Sequence, residues 1–269
     1  MIKHKNVIIS LLVLSSYCFM IIMNMLANIL PLNGKNTGEI SDSYGNLFAP
    51  AGITFAIWGL IYLLLLVYIV YQFWGYTGIA RGGKEERIGQ ILNKTGIWFA
   101  ISSVANALWI LAWHYDVIWL SLLLTLCILG CLIKINLGLR DESFSKMEHV
   151  AVRLPFTVYL GWATVATIAN VTVFLVSVSW NRFSLSEVFW TVSIVLIGAV
   201  IGCLGVVFYK SYAYGAVLVW AFAGIAMKHL SPAQFNGKYQ AVILAVLVSI
   251  LGILISMVIL FCSKRKVKK

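Results

Sequence analysis

The sequence predicts an all-α integral membrane protein, an up-down bundle of about eight transmembrane helices. Three observations predict it: a very low share of charge, long uncharged stretches separated by short polar connections, and a one-sided distribution of basic residues. Of the 269 residues, 61% are hydrophobic and only 11% charged, with a mean hydropathy of +0.94. A water-soluble domain carries roughly 25% charged residues to keep its surface wet. This chain has too few to cover a globule in water, so lipid must solvate most of its surface.

A helix rises 1.5 Å per residue, so about 20 apolar residues cross a hydrocarbon layer of about 30 Å. Eight stretches qualify or nearly so. The first, 7–30, follows Lys3 and Lys5 and resembles a secretion signal. At about 24 residues it exceeds the usual signal core of about 7 to 15, which favours an uncleaved first helix. The second is 50–74. The third and fourth, 95–115 and 117–133, are joined by little more than Tyr115 and Asp116, which requires a tight antiparallel hairpin. The fifth is 150–178. The sixth, 188–208, carries Gly198, Gly202 and Gly205, spaced to allow close helix approach. The seventh, 212–227, is short enough to be a re-entrant or interfacial segment. The eighth, 239–262, ends in a basic tail. The longest connections, about 31–49, 75–94 and 134–149, are too short to bury a core of their own. The first of them is rich in turn formers. No internal repeat is visible, so an inverted-repeat transporter is not indicated.

All nine acidic residues fall between or at the edges of these stretches. Assigning the connections alternately puts sixteen of the twenty Lys and Arg residues on the side that holds both termini. Only Lys35, Arg182, Lys228 and Lys238 remain opposite. Basic residues concentrate on the cytoplasmic side, so both termini are expected there. Removing one helix would scramble the alternation, which supports the count. The net charge of +11 is then a set of anchors facing anionic head groups. Nucleic acid is not expected as a partner, because no soluble basic domain exists to bind it. The five cysteines, at 18, 127, 131, 203 and 262, lie in apolar stretches and are expected to be small core residues. No metal site is expected, since neither histidine nor carboxylate lies near Cys127 and Cys131.

With charge confined to connections, the informative residues are neutral polar groups and tryptophans inside the spans. Trp58 and Tyr62 are four apart near the start of the second span. Asn106, Trp109 and Trp113 share one face of the third, and Trp162, Ala166, Ala169 and Asn170 share one stripe of the fifth. An amide in hydrocarbon is costly unless hydrogen-bonded, so Asn106 and Asn170 are expected to face the bundle interior. In the alternating topology Trp58, Asn106, Trp109 and Asn170 fall in the outer half of the membrane, with Trp162 near its middle. Such a set suits a flat aromatic ligand, with rings to stack on and amides to orient it. Packing and amide bonds between helices would explain it equally, and periodicity leaves both open. Trp74, Trp98, Trp119, Trp180 and Trp190 lie near span ends, where interfacial anchoring is the ordinary role.

These residues make the chain resemble the TspO/MBR family, the tryptophan-rich sensory proteins related to the mitochondrial translocator protein (peripheral benzodiazepine receptor). The family's Pro, then Trp-x-x-x-Tyr at the second helix, is matched by Pro50, Trp58 and Tyr62. Its Asn-x-x-Trp on the third helix is matched by Asn106 and Trp109, followed by Trp113 and His114. Its fifth-helix motif is matched by Tyr159, Leu160, Trp162, Ala166, Ala169 and Asn170, with Pro155 upstream. Departures are Gly52 and Ala56, where the family usually has Trp and Pro, and Val165 in place of Phe. Asn170 is not followed by the animal members' cholesterol-recognition pattern. The resemblance covers roughly residues 7–180, which implies a five-helix TspO/MBR-like bundle at 1–180. Residues 181–269 would then be a three-helix membrane extension with a basic cytoplasmic tail.

The resemblance implies a cavity in the outer half of the bundle for porphyrins, other tetrapyrroles or similar hydrophobic molecules. Its lining would be Trp58, Asn106, Trp109, Trp162, Ala166 and Ala169, with Tyr62 and Asn170 beside them. It also implies a homodimer as one assembly, in a bacterial cell membrane, and no cofactor. The alternative is a facilitator or transporter of small hydrophobic molecules. Proton coupling usually needs ionisable groups inside the spans, and His114 and His149 stand near span ends. No enzymatic activity is expected, because no nucleophile triad, carboxylate pair or metal cluster is legible.

Overall fold

The computed structural model describes residues 2–30, 32–74 and 84–266, without the side chains of 2–5, 84 and 264–266. Pro31, the connection 75–83 with Arg81, and the basic end 267–269 lie outside the described residues. Part of the basic-residue count, including Lys3, Lys5, Lys84 and Lys264, therefore has no side chain to place.

Among the described residues every regular element is helical. In chain order they are α1 (Ile2–Ile29), α2 (Thr37–Ser43), α3 (Ile57–Trp74), α4 (Lys84–His114) and α5 (Ile118–Leu139). Then come α6 (Lys146–Glu148), α7 (Leu154–Ser177), α8 (Glu187–Phe208), α9 (Tyr212–Leu230) and α10 (Gln240–Lys266). Eight of the described helices are long and apolar enough to cross a membrane. The protein is thus an all-α integral membrane protein.

The helices outrun the stretches expected from hydropathy wherever a charged turn follows an apolar one. The third span begins at Glu85 rather than 95, and the fourth runs past Lys134 to Leu139. Charge marks the edge of hydrocarbon, not the end of a helix, because long basic side chains reach outward to water. The 31 residues of α4 rise ~46 Å, well beyond the ~30 Å layer. The seventh span is a helix of 19 residues, enough to cross, since it continues through Lys228 and His229. The first connection holds α2 as well as turns. The cysteine expectation is corrected. Cys131 is buried and Cys203 half-buried, but Cys18, Cys127 and Cys262 are exposed on the helix surfaces. A small apolar thiol facing lipid carries no desolvation cost, so hydrophobicity alone does not place it inside.

The chain divides into two compact units, residues 1–36 with 58–160, and residues 37–57 with 161–269. In the first unit α4 is the central helix. It packs along α1 and α5, and 67% of its span is buried, against 33% for α1 and α3. Tyr68, Phe99 and Phe156 tie α3, α4 and α7 together edge to face, with ring centroids 4.7–5.7 Å apart. Asn136 of α5 donates to the carbonyl of Phe156 at 3.0 Å. The hairpin between α4 and α5 turns through Asp116 in a left-handed conformation. A π-helical turn, His149–Arg153, precedes α7. Pro155 has no N–H for the carbonyl of Ala151, and its ring crowds that oxygen. Widening the turn, so that Leu154 N–H reaches the carbonyl of His149, relieves the conflict.

In the second unit α10 packs along α8 and α9, and the glycines of α8 make the close approach that their spacing predicted. A methyl on Gly202 would stand 2.5 Å from Leu218, and one on Gly205 2.5 Å from the Tyr214 ring. The 37–57 segment lies along one face of α9, held at nearly every turn. Trp220 Nε1 donates to Thr54 O at 3.0 Å, and Ala51 N–H donates to Gly224 O at 3.0 Å. Lys228 pairs with Asp42, and His229 Nε2 donates to Leu47 O at 2.8 Å. Residues 220, 224 and 228 recur every four positions, so they form one stripe.

Candidate ligand-binding site

The first unit brings four of the eight expected site residues together. The ring of Trp58 lies stacked on Tyr62 at 5.5 Å and tilted on Trp109 at 5.9 Å. It also meets Tyr159 edge-on at 5.9 Å. Trp109 in turn stacks on Trp113 at 5.8 Å. Offset and edge-to-face pairs at these spacings each add about 0.5–1.5 kcal/mol beyond burial. Trp58 and Tyr62 share a face of α3 because they are four apart, and Trp109 and Trp113 share a face of α4 for the same reason.

Beneath the rings runs a buried polar chain. Asn24 Nδ2 donates to Asn106 Oδ1 at 2.7 Å, and Asn106 Nδ2 donates to the Tyr159 hydroxyl at 3.2 Å. Asn106 and Tyr159 are fully buried. The chain thus joins α1, α4 and α7 within this unit. Asn24 went unassigned in the sequence reading, although an amide in the apolar run 7–30 was itself a signal that a partner must exist. Asn106→Ala strips both bonds, taking the donor from the Tyr159 hydroxyl and leaving Asn24 Nδ2 only the carbonyl of Met20. It is expected to cost about 1–3 kcal/mol, read as a lower midpoint of denaturation in detergent micelles. Asn106→Asp, which keeps the acceptor for Asn24, should lose less.

Two polar atoms in this cluster are buried and meet no hydrogen-bonding group among the described residues: Trp109 Nε1 and the Tyr62 hydroxyl. The backbone near them is occupied, since Tyr17 donates its hydroxyl to Tyr62 O at 2.9 Å. At the end of α4, His114 is buried rather than peripheral. It engages the turn before α2, with Nδ1 3.1 Å from Leu32 O, and its carbonyl accepts from Asn33 at 3.0 Å.

The other four expected residues belong to the second unit. Trp162 is buried and meets Phe55 edge-on at 5.9 Å. Ala166 and Ala169 are half-buried. Asn170 is buried, and its Nδ2 donates to Ala166 O of its own helix at 3.3 Å. A cavity of about 490 Å³ in this unit opens between the 45–47 turn, the last turns of α7 and the first turns of α8. None of the eight expected residues lines it.

A membrane-spanning helical protein with an aromatic and amide interior is the class these features define. A family model described as TSPO-like protein matches residues 10–260, and the chain belongs to that family. The match continues past 180, so it takes in the helices that the motif resemblance had left outside. Comparisons with curated proteins and with solved structures return no match.

Proposed function

We propose that the protein binds a flat hydrophobic ligand of the tetrapyrrole class on the ring cluster of its first unit. The observation that carries this reading is the pair of buried polar atoms without partners, Trp109 Nε1 and the Tyr62 hydroxyl, set among stacked rings. A buried donor left unsatisfied costs about 1–3 kcal/mol. A ring-shaped ligand with acceptor atoms on its edge would recover that cost while its face stacks on Trp58. Family membership supports the same class of ligand. Trp162, Ala166, Ala169 and Asn170 carry the family's motif in the second unit, and Trp162→Phe tests their part separately.

The test is a porphyrin titration of the purified chain in detergent, followed by the shift of the porphyrin's own absorbance band. Saturable binding is expected in the wild type, weakened about ten-fold by Trp109→Phe, which removes the indole N–H and part of the stacking face. Absence of saturable binding, or an unchanged affinity in Trp109→Phe, would overturn the reading. Flux of the same porphyrin into proteoliposomes separates a binding or sensory protein from a facilitator. The sixteen-to-four distribution of basic residues supports both termini on the cytoplasmic side; a bacterial cell membrane belongs to the same proposal. A homodimer belongs to the same proposal, as the family resemblance implies.

A further inference from the structure

The cavity of the second unit has a built wall. Asn46 fixes the 44–49 turn, its Oδ1 accepting from Phe48 N–H at 3.1 Å and Ala49 N–H at 2.8 Å. Its Nδ2 donates to Tyr44 O at 2.8 Å. His229 holds the carbonyl of Leu47 from behind at 2.8 Å. Opposite, Trp180 and Trp190 meet at 4.9 Å and 62°. Trp190 Nε1 donates to Arg182 O at 2.8 Å, which pins the connection between α7 and α8.

The lining is graded. Arg182 and Glu187 line it where α7 passes into α8, and Leu175, Val176 and Ile194 line it further along the two helices. The Arg182 guanidinium and the Glu187 carboxylate touch at a single long contact of 3.5 Å, with both side chains nearly half exposed. Such a pair contributes about 0–1 kcal/mol, so each charge can take a better partner at little loss. The lining therefore offers one cation, one anion and aromatic side chains at the α7–α8 connection, and apolar side chains further along the helices. A purely anionic ligand would leave Glu187 repelling it. A ligand with both signs satisfies both, and an ammonium is further favoured against the indole faces. By the charge distribution this end of the unit lies at the outer membrane surface, where lipid head groups sit. The volume of about 490 Å³ falls within the ordinary range for ligand pockets.

We propose that this cavity holds the head group of one zwitterionic phospholipid. The phosphodiester meets Arg182, the ammonium lies between Glu187 and the Trp190 face, and an acyl chain runs past Leu175, Val176 and Ile194. The site shares no residue with the ring cluster of the first unit.

The test is native mass spectrometry of the full chain released from micelles doped equally with phosphatidylethanolamine and phosphatidylglycerol. One phosphatidylethanolamine per chain is expected to be retained in preference. Arg182→Gln and Glu187→Gln should each reduce that retention about ten-fold, the effect of losing one charge-assisted contact. Arg182→Lys should restore most of it. Both residues are nearly half exposed, so melting close to wild type is expected in all three variants and serves as the folding control. Equal retention of the two lipids, or retention unchanged in both charge-removing variants, would overturn the proposal. Displacement by glycerophosphoethanolamine at the same concentration as the lipid would also overturn it, since the ligand would then be a soluble zwitterion. Porphyrin binding by Arg182→Gln should match the wild type. A failure of porphyrin binding in every variant would count against the ring cluster alone.

Discussion

Gly205→Val is expected to destabilise the second unit strongly, costing about 3 kcal/mol or more. The first added carbon would stand 2.5 and 2.7 Å from two carbons of the Tyr214 ring and 2.9 Å from its hydroxyl oxygen. Nothing at those distances can be accommodated without movement. The ring has little room to move: Tyr214 is buried, its hydroxyl shares a hydrogen bond with Thr164 at 3.2 Å, and its N–H is capped by Ser211. Only a tight turn, 209–211, separates α8 from α9, so the two helices cannot slide to make space. Gly202→Ala supplies the comparison. There the clash is with a terminal methyl of Leu218, the far end of a flexible side chain that can rotate away. Its cost should be about 1 kcal/mol or less. Thermal unfolding in detergent, followed by helical circular dichroism, would show the two variants well apart. Equal melting of both would mean that α8 and α9 are not packed through these glycines.

The glycine row also shows what could be read from the chain and what could not. Four- and three-residue spacings of small side chains in an apolar helix have one common use, so close packing of α8 was legible. The partner was not, because Tyr214 and Leu218 lie on a helix whose own pattern does not distinguish its faces. Span number was legible for a physical reason: hydrocarbon excludes charge, and the exclusion is written in every interval between basic or acidic residues. The ends of helices were hidden by the same rule. Lys228 and His229 appeared to close the seventh span, yet Asp42 pairs the charge of Lys228 and Leu47 O accepts from His229 within the helix. Such pairing depends on the 37–57 segment, far away in sequence, and no local pattern announces it.

The candidate site divides in the same way. Trp58, Tyr62, Asn106 and Trp109 were marked by helical spacing and family motif, and the first unit clusters their side chains. Asn24 was marked only by being polar in an apolar run. The cavity beside Trp180 and Trp190 was obscured because tryptophans at span ends have a sufficient interfacial explanation. Its shape comes from the 44–49 turn, and turns leave no periodicity from which to place them against a helix.

The four charges that gather in the first unit should make its stability depend on acid. Arg87 Nη1 meets Glu142 at 2.7 Å, and Arg87 Nε meets Glu148 at 2.8 Å. Arg87 Nη2 donates to Ser143 O at 2.8 Å, and Lys94 also pairs with Glu142. Glu148 closes a reciprocal cap with Ser145 and is 8% exposed. Arg87→Met leaves that carboxylate without its cation. Breaking a fully buried pair costs about 3–5 kcal/mol; Arg87 keeps about a quarter of its side chain exposed, so about 2 kcal/mol is expected here. The pH dependence has a definite sign. Lys94 first, then Arg87, hold the Glu142 carboxyl below the usual carboxylate range. A group lowered in the folded state stabilises it above the unfolded value of about 4.3, and that contribution is lost as pH falls through the folded value. Wild-type protein should therefore melt progressively earlier as pH drops below about 4.3. Glu142→Gln should be less stable at neutral pH and flatter across the acid range, because it has no such proton to take up. Parallel melting curves for the two proteins from neutral to acid pH would show that this charge cluster is held by water rather than by its own pairing.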